Sequence, residues 1–244
     1  MTLATTYFGA NGWLLEFDDL RVLVDPWLQG SLSFPPGGWM LKGELPEQRP
    51  APDHLDLLLL TQGLADHAHP ESLDLLPRTL PVIGSVAATQ VVKKMGFETV
   101  QALKPGECTT TRGYGSRNRW RSRANGGKRI SARACIGKPL PGTPRLFGSR
   151  PTSPTPRCRD HTHGGFGLPA LGAFVKGCSV VPQLVERFQP STVLASTSGG
   201  DVRFSGALTG LLQMQGSVAS TGATLPDSSQ WIDPTPGERL VLKG

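Results

Sequence analysis

The sequence predicts an α/β fold of layered architecture, on three observations. Apolar runs of strand length alternate with helix signals through the first 107 residues. One of those runs, Leu57-Leu58-Leu59-Leu60, is uninterrupted, as in a strand covered on both faces. Patterned sequence of the same kind returns after residue 167. With 244 residues the chain can bury a sizeable core without disulfides or metals to staple it.

The elements follow in order. Thr6-Tyr7-Phe8 and Trp13-Leu14-Leu15-Glu16-Phe17 read as strands, parted by the turn Gly9-Ala10-Asn11-Gly12. Asp18-Asp19 turns the chain into Arg21-Val22-Leu23-Val24-Asp25, which makes a hairpin of the second and third strands. Residues 26–54 read as loop, with Pro35-Pro36-Gly37-Gly38 as breakers. After Leu57–Leu60, Pro70 and Glu71-Ser72 open a short helix that Pro77 stops. Pro81-Val82-Ile83-Gly84 is a strand, and Ser85 caps a helix that runs through Met95 and ends at Gly96. Phe97 to Leu103 reads as a further strand. Beyond residue 167 the pattern predicts a helix over Leu171–Phe188, a strand at Thr192–Ala195, a helix over Ser205–Gln215 and a last strand at Glu238–Leu242.

Residues 108–167 break this grammar. Gly, Pro, Ser and Thr make up 28 of these 60 residues, and neither a 3.6 nor a 2.0 period persists. Such a stretch is short of the apolar area needed to offset its ordering entropy. It also carries 13 of the 25 Lys and Arg and only one acid, Asp160, so its charge is +12 while the other 184 residues sum to −6. The net +6 and the pI near 9.4 therefore describe one segment and not the protein at large, and nucleic acid is not the expected partner. No run of apolar residues is long enough to span a bilayer, and the start has no basic n-region. The expected setting is the cytoplasm, with Cys108, Cys135, Cys158 and Cys178 as reduced thiols without metal-like spacing.

Two accounts of the segment compete. It is either a disordered basic insert or a stretch read out of frame, and the second is favoured. Shifted by one base, Arg157–Gly167 can read Ala-Val-Val-Ile-Thr-Pro-Thr-Val-Asp-Leu, a strand-like run leading into Leu168-Pro169. The freedom of third bases is limited here, because the codons of Cys158, Asp160, His161, His163 and Phe166 all end in T or C. Sequencing the gene across codons 105–170 checks this. A compatible single-base change at each end is the expected result, and its absence sinks the idea.

The chemistry concentrates in Leu60-Thr61-Gln62-Gly63-Leu64-Ala65-Asp66-His67-Ala68-His69-Pro70, directly after the buried strand. The end of such a strand is where α/β proteins place ligand-binding groups. A carboxylate and two imidazoles within four residues are donors suited to a divalent metal, although an exposed turn with solvated His satisfies the same spacing. Asp160-His161-Thr162-His163 offers similar donors but lies in the anomalous segment. Trp13, Trp27 and Trp39 could line a pocket or simply pack.

Taken together, the opening Phe8–Phe17 hairpin, the strand ending Val24-Asp25-Pro26-Trp27 and the Thr61-x-Gly63-x-Ala65-Asp66-His67 stretch resemble the metallo-β-lactamase fold superfamily, in its lactonase-like metal-dependent hydrolase branch. The Gln-Gly-Leu-x-Asp-His-x-His form is similar to a divergent set seen in cyanobacteria and plants. The resemblance implies an αββα sandwich, split as an N-terminal half over 1–107, the basic segment over 108–167 and a C-terminal half over 168–244. It implies a hydrolase in which metal-activated water attacks an ester, lactone or phosphodiester of an unidentified small molecule. It also implies a divalent metal, zinc first, as one ion or none. Asp66 and His67 would be ligands, Asp66 catalytic as well, with His69 and Asp25 as secondary candidates.

The sequence departs from the family where its first two His ligands stand, with Gln62 and Leu64 there instead. Leucine has no lone pair, and an amide oxygen is a poor substitute for imidazole on zinc. No clear late ligand appears, Ser196-Thr197 and Asp201 being the nearest groups. Turnover is therefore expected to be reduced or lost. The alternative is a non-catalytic binding protein whose basic segment contacts RNA or another polyanion.

Overall fold

The computed structural model describes residues 3–113 apart from 19 and 35, then 130–135, 165–168, 172–196, 202–209, 213–215, 222 and 225–242. Side chains are described only outside 110–180 and 213–215. In chain order the elements are β1 (Leu3–Gly9), β2 (Gly12–Phe17), β3 (Leu20–Val24), β4 (Ser31–Ser33), β5 (Lys42–Glu44) and β6 (Leu57–Leu60). Then come α1 (Pro70–Asp74), β7 (Val82–Ser85), α2 (Val86–Lys94), β8 (Val100–Leu103), β9 (Cys108–Gly113) and β10 (Ile130–Cys135). The remainder is β11 (Gly165–Leu168), β12 (Gly172–Lys176), α3 (Gly177–Phe188), β13 (Thr192–Leu194), β14 (Arg203–Ser205), β15 (Gln213–Gln215), β16 (Gln230–Ile232) and β17 (Arg239–Leu242).

The chain divides into two compact units, one of residues 1–30, 48–149 and 236–244, the other of 31–47 and 150–235. The first is built on a seven-stranded sheet in the order β17-β1-β2-β3-β6-β7-β8. Its β17–β3 part is antiparallel, through the β1–β2 and β2–β3 hairpins and the long-range pairing of β1 with β17, whereas β3, β6, β7 and β8 run parallel. The all-leucine β6 lies between β3 and β7, with Leu57, Leu58 and Leu60 buried, as a strand covered on both faces must be. Leu23, Leu58, Leu60, Leu73, Val82, Ala88, Val92 and Phe97 form its core. Ser85 caps α2 as expected, its hydroxyl accepting from the Ala88 N–H at 3.3 Å. In the same unit β9 and β10 pair antiparallel, with Cys108 opposite Cys135 in the Cα register.

The second unit contains three small sheets, β14-β5-β4, β12-β11-β15 and the parallel pair β13–β16, together with α3. Trp39 is exposed there, and Phe34 and Phe204 face one another at 6.5 Å. Among the described residues, no helix is long and apolar enough to cross a membrane.

Several expectations need correction. Residues 26–54 are not all loop, since they supply β4 and β5. Only Gly177–Phe188 of the predicted Leu171–Phe188 helix is helical, and the preceding Gly172–Lys176 is β12. The described residues of the predicted Ser205–Gln215 helix do not form it, since Ser205 ends β14, Gly206 turns the chain at φ 110° and Gln213–Gln215 is β15. A Cβ at Gly206 would lie 2.6 Å from the Met40 carbonyl oxygen, an approach that only glycine permits. Phe97 closes α2 through its N–H to the Val92 carbonyl, so β8 starts only at Val100. Cys108 is disulfide-bonded, so the expectation of four reduced thiols fails for it. Within 108–167 the described residues are strand, in β9, β10 and the start of β11. The Asp160–His163 and Thr197–Asp201 groups lie outside the described residues.

Candidate functional site

Three loops meet at the C-terminal edge of the parallel strands. Asp25 follows β3, Thr61 to Ala68 follow β6, and the β1–β2 turn presents Asn11. Asp25 is buried and carries a left-handed φ of 42°, a conformation that a non-glycine residue holds only when its surroundings insist. Here they do. Its backbone N–H donates to the Leu59 carbonyl, and its carboxylate gathers three donors. The Thr61 N–H reaches Oδ1 at 2.7 Å, the Thr61 hydroxyl donates to Oδ2, and His67 Nδ1 lies 2.8 Å from Oδ2. An ionised carboxylate can only accept, so His67 bears its proton on Nδ1 and turns Nε2 outward.

On that outer side Nε2 lies 3.5 Å from Asp66 Oδ2. The Asn11 amide nitrogen bridges the pair, at 3.3 Å from Asp66 Oδ2 and 3.4 Å from His67 Nε2. The His67 side chain is largely buried, whereas Asp66 is more than a third exposed. Burial pulls the His67 pKa down. The hydrogen bond to Asp25 and the negative charges of Asp25 and Asp66 outweigh it and hold the imidazole above its ordinary value of 6.5.

The four residues singled out by sequence thus separate. Asp25, Asp66 and His67 come together, with Asp25 behind the imidazole as its positioning partner and not on the open side. His69 takes a different place. It is buried as the N-cap of α1, its Nδ1 accepting from the Ser72 N–H at 3.4 Å and lying 3.1 Å from the Ser72 hydroxyl oxygen. Its ring stacks on Trp27 at 5.7 Å. The Ser72 hydroxyl oxygen in turn accepts from the Leu28 N–H, so His69, Ser72 and Trp27 fasten α1 to the chain after β3. Trp13 is likewise packed, its ring 4.6 Å from that of Tyr7. Asn11 is a site residue that the sequence does not reveal, and Thr61 stands in the stretch that carries the resemblance without a role of its own there. A polar side chain in a glycine-rich turn reads as turn chemistry, and only the fold brings it to a site 55 residues away.

Residues 4–128 match the profile of the beta-lactamase superfamily domain. The chain belongs to that superfamily. No match to the sequence was found among curated proteins. Solved structures from the superfamily's fold resemble it over nearly its whole length. A metallo hydrolase from the hyperthermophilic archaeon Ignicoccus hospitalis is 13% identical with a TM-score of 0.56, covering 100% of both chains. A "possible metal-dependent hydrolase" from Veillonella parvula is 15% identical with a TM-score of 0.57, covering 99% of this chain and 100% of its own. An isothiocyanate hydrolase from Delia radicum gut bacteria is 13% identical with a TM-score of 0.52, covering 97% and 98%. At such identities the likeness is one of fold, and the fold is α/β of the metallo-β-lactamase type.

A metal is what this fold implies, and the donor chemistry can be held against it. Asp66 Oδ2 and His67 Nε2 present two donors on one side, and the remaining neighbour is an amide. Catalytic zinc is held by three protein ligands, and none comes from Gln62 or Leu64. Among the described residues, no group of three His, Cys, Asp or Glu side chains could hold a metal ion. The described residues therefore do not complete a metal centre.

Proposed function

We propose that this beta-lactamase superfamily member is a hydrolase-like protein with a reduced metal centre, whose turnover of an ester, lactone or phosphodiester is lowered or lost. The observation that carries the reading is the paired presentation of Asp66 Oδ2 and His67 Nε2, 3.5 Å apart, with Asp25 fixing the imidazole from behind. That backing helps to fix the ring and the direction of Nε2. Asn11 ties both groups to the β1–β2 turn. Gln62 and Leu64 stand where the resembled family has imidazole ligands, so the half of the centre that they would build is missing.

Elemental analysis of the purified full chain after incubation with zinc tests this, beside an Asp66→Ala/His67→Ala double variant. One ion per chain in the wild type, and none in the variant, is expected. Two ions per chain, or the same metal content in both proteins, would overturn it. The second reading, a polyanion-binding protein, rests on the +12 segment over 108–167. Loss of polyanion-column retention on deleting that segment would favour it.

A further inference from the structure

The three polar groups on the open side of the site stand at an unusual spacing. Asn11 Nδ2 lies 3.3 Å from Asp66 Oδ2 and 3.4 Å from His67 Nε2, and those two atoms are 3.5 Å apart. The same amide nitrogen is 3.4 Å from the Asp66 backbone carbonyl oxygen. Each of these distances exceeds the roughly 2.7–3.2 Å of an ordinary N–H···O bond. An amide with two protons facing three acceptors satisfies none of them well.

The spacing suits a different occupant. Donors about 2.0–2.2 Å from one zinc ion, at tetrahedral angles, are themselves about 3.3–3.6 Å apart. Octahedral magnesium, with donors at about 2.0–2.1 Å, would draw them in to about 2.8–3.0 Å. The near-equilateral triangle of Asn11, Asp66 and His67 matches the first spacing and not the second. Calcium takes about six to eight oxygen ligands, which an imidazole nitrogen does not supply.

As the side chains stand the triangle is one donor short, because an amide NH2 has no lone pair to offer a cation. A half-turn of one side chain removes the defect. The oxygen and nitrogen of an Asn amide are nearly the same size, and rotating the group exchanges them in place. The backbone beneath need not move. The Tyr7 hydroxyl donates to the Ala10 carbonyl at 3.1 Å, which holds the turn that presents Asn11. Across the triangle, Asp25 fixes the His67 proton on Nδ1 and leaves the Nε2 lone pair facing outward.

We propose that Asn11, with its amide turned over, is the third ligand of a single zinc site made with Asp66 and His67. The proposal rests on the reduced metal centre for the other two ligands and adds the donor which that centre lacks. An amide oxygen is no His, Cys, Asp or Glu group, so this triad lies outside the usual donor types. One carboxylate, one imidazole and one neutral amide hold zinc, and prefer it to magnesium and calcium.

Calorimetry on the full chain with zinc, magnesium and calcium tests this. The proteins are the wild type, Asn11→Leu, Asn11→Asp and Asp66→Ala/His67→Ala, each checked for folding by circular dichroism. The wild type should bind one zinc, and magnesium and calcium at least about tenfold more weakly. Asn11→Leu should weaken zinc at least about tenfold, since losing even a group behind a ligand costs about 10- to 100-fold. Asn11→Asp, which keeps the shape and offers a carboxylate oxygen, should bind zinc no less tightly than the wild type. It decides the matter alone if Asn11→Leu does not fold. Cobalt(II) in place of zinc adds a signature, because its visible bands report the ligands and should change in Asn11→Leu. Equal zinc affinity and equal cobalt spectra in the wild type and Asn11→Leu, or weaker zinc binding by Asn11→Asp, overturn the role of Asn11. If the double variant still loses zinc in that case, the Asp66–His67 centre stands without it. A wild type that binds no zinc overturns both.

Discussion

Asp25→Ala should destabilise the fold by about 3 kcal/mol, the scale on which breaking one side of a buried, hydrogen-bonded charge pair is felt. The carboxylate accepts from the Thr61 N–H, the Thr61 hydroxyl and His67 Nδ1, and alanine would leave all three without their acceptor. Asp25→Asn should cost less, since an amide keeps an oxygen for Thr61 and tolerates a φ of 42°. It would lose the charge that favours protonated His67. That charge has a signature in pH. The folded pKa of His67 lies above the unfolded value of 6.5, so its stabilisation is complete below about pH 6.5 and is lost as pH rises through the folded pKa. Urea unfolding at a series of pH values, wild type against Asp25→Asn, should show this slope in the first protein and little of it in the second. Equal slopes would mean that Asp25 does not govern the imidazole.

Leu58→Ala should cost about 2–5 kcal/mol by removing a side chain from the middle of the sheet and leaving a cavity behind it. Leu58 is wholly buried, its Cα paired with Leu23 on one side and Val82 on the other. Neither neighbouring strand can shift to fill the gap without breaking its ladder. Leu59→Ala, at the only β6 position not fully buried, should cost less. A denaturant midpoint unchanged by Leu58→Ala would contradict the place given to β6 in the core.

The parts of the fold that were legible in the sequence are those whose signal is local. The leucine run of β6, the Ser85 cap and the strands ending at Asp25 each declare themselves within a few residues. Ser205–Gln215 misled because its apolar spacing fits a helix, whereas a backbone contact between Gly206 and Met40 decides the turn, and that contact is far off in sequence. In the site the same division holds. Asp66 and His67 are adjacent and were read as a pair, and Asp25 was marked by its strand end. Asn11 was missed because nothing near it in sequence distinguishes a bridging amide from a turn residue. His69 has the spacing of a ligand, yet the Ser72 that follows three residues on makes it a cap. The basic segment supplies the sequence's overall charge, and the described residues that meet at the site, Asn11, Asp25, Thr61, Asp66 and His67, all lie outside it.

The pairing of the last strand with the first constrains how the chain is made. Leu242 lies opposite Leu3 and Arg239 opposite Thr6, with Arg239 also reaching the Glu16 carboxylate at 2.7 Å. One edge of the main sheet therefore stays open during synthesis until residues 239–242 have left the ribosome. The contacts that close it join positions more than 230 apart, which raises contact order and slows completion. Whatever the origin of residues 108–167, translation must continue in the frame that spells Arg239-Leu240-Val241-Leu242, because a chain halted before them would leave β1 as an unpaired, aggregation-prone edge.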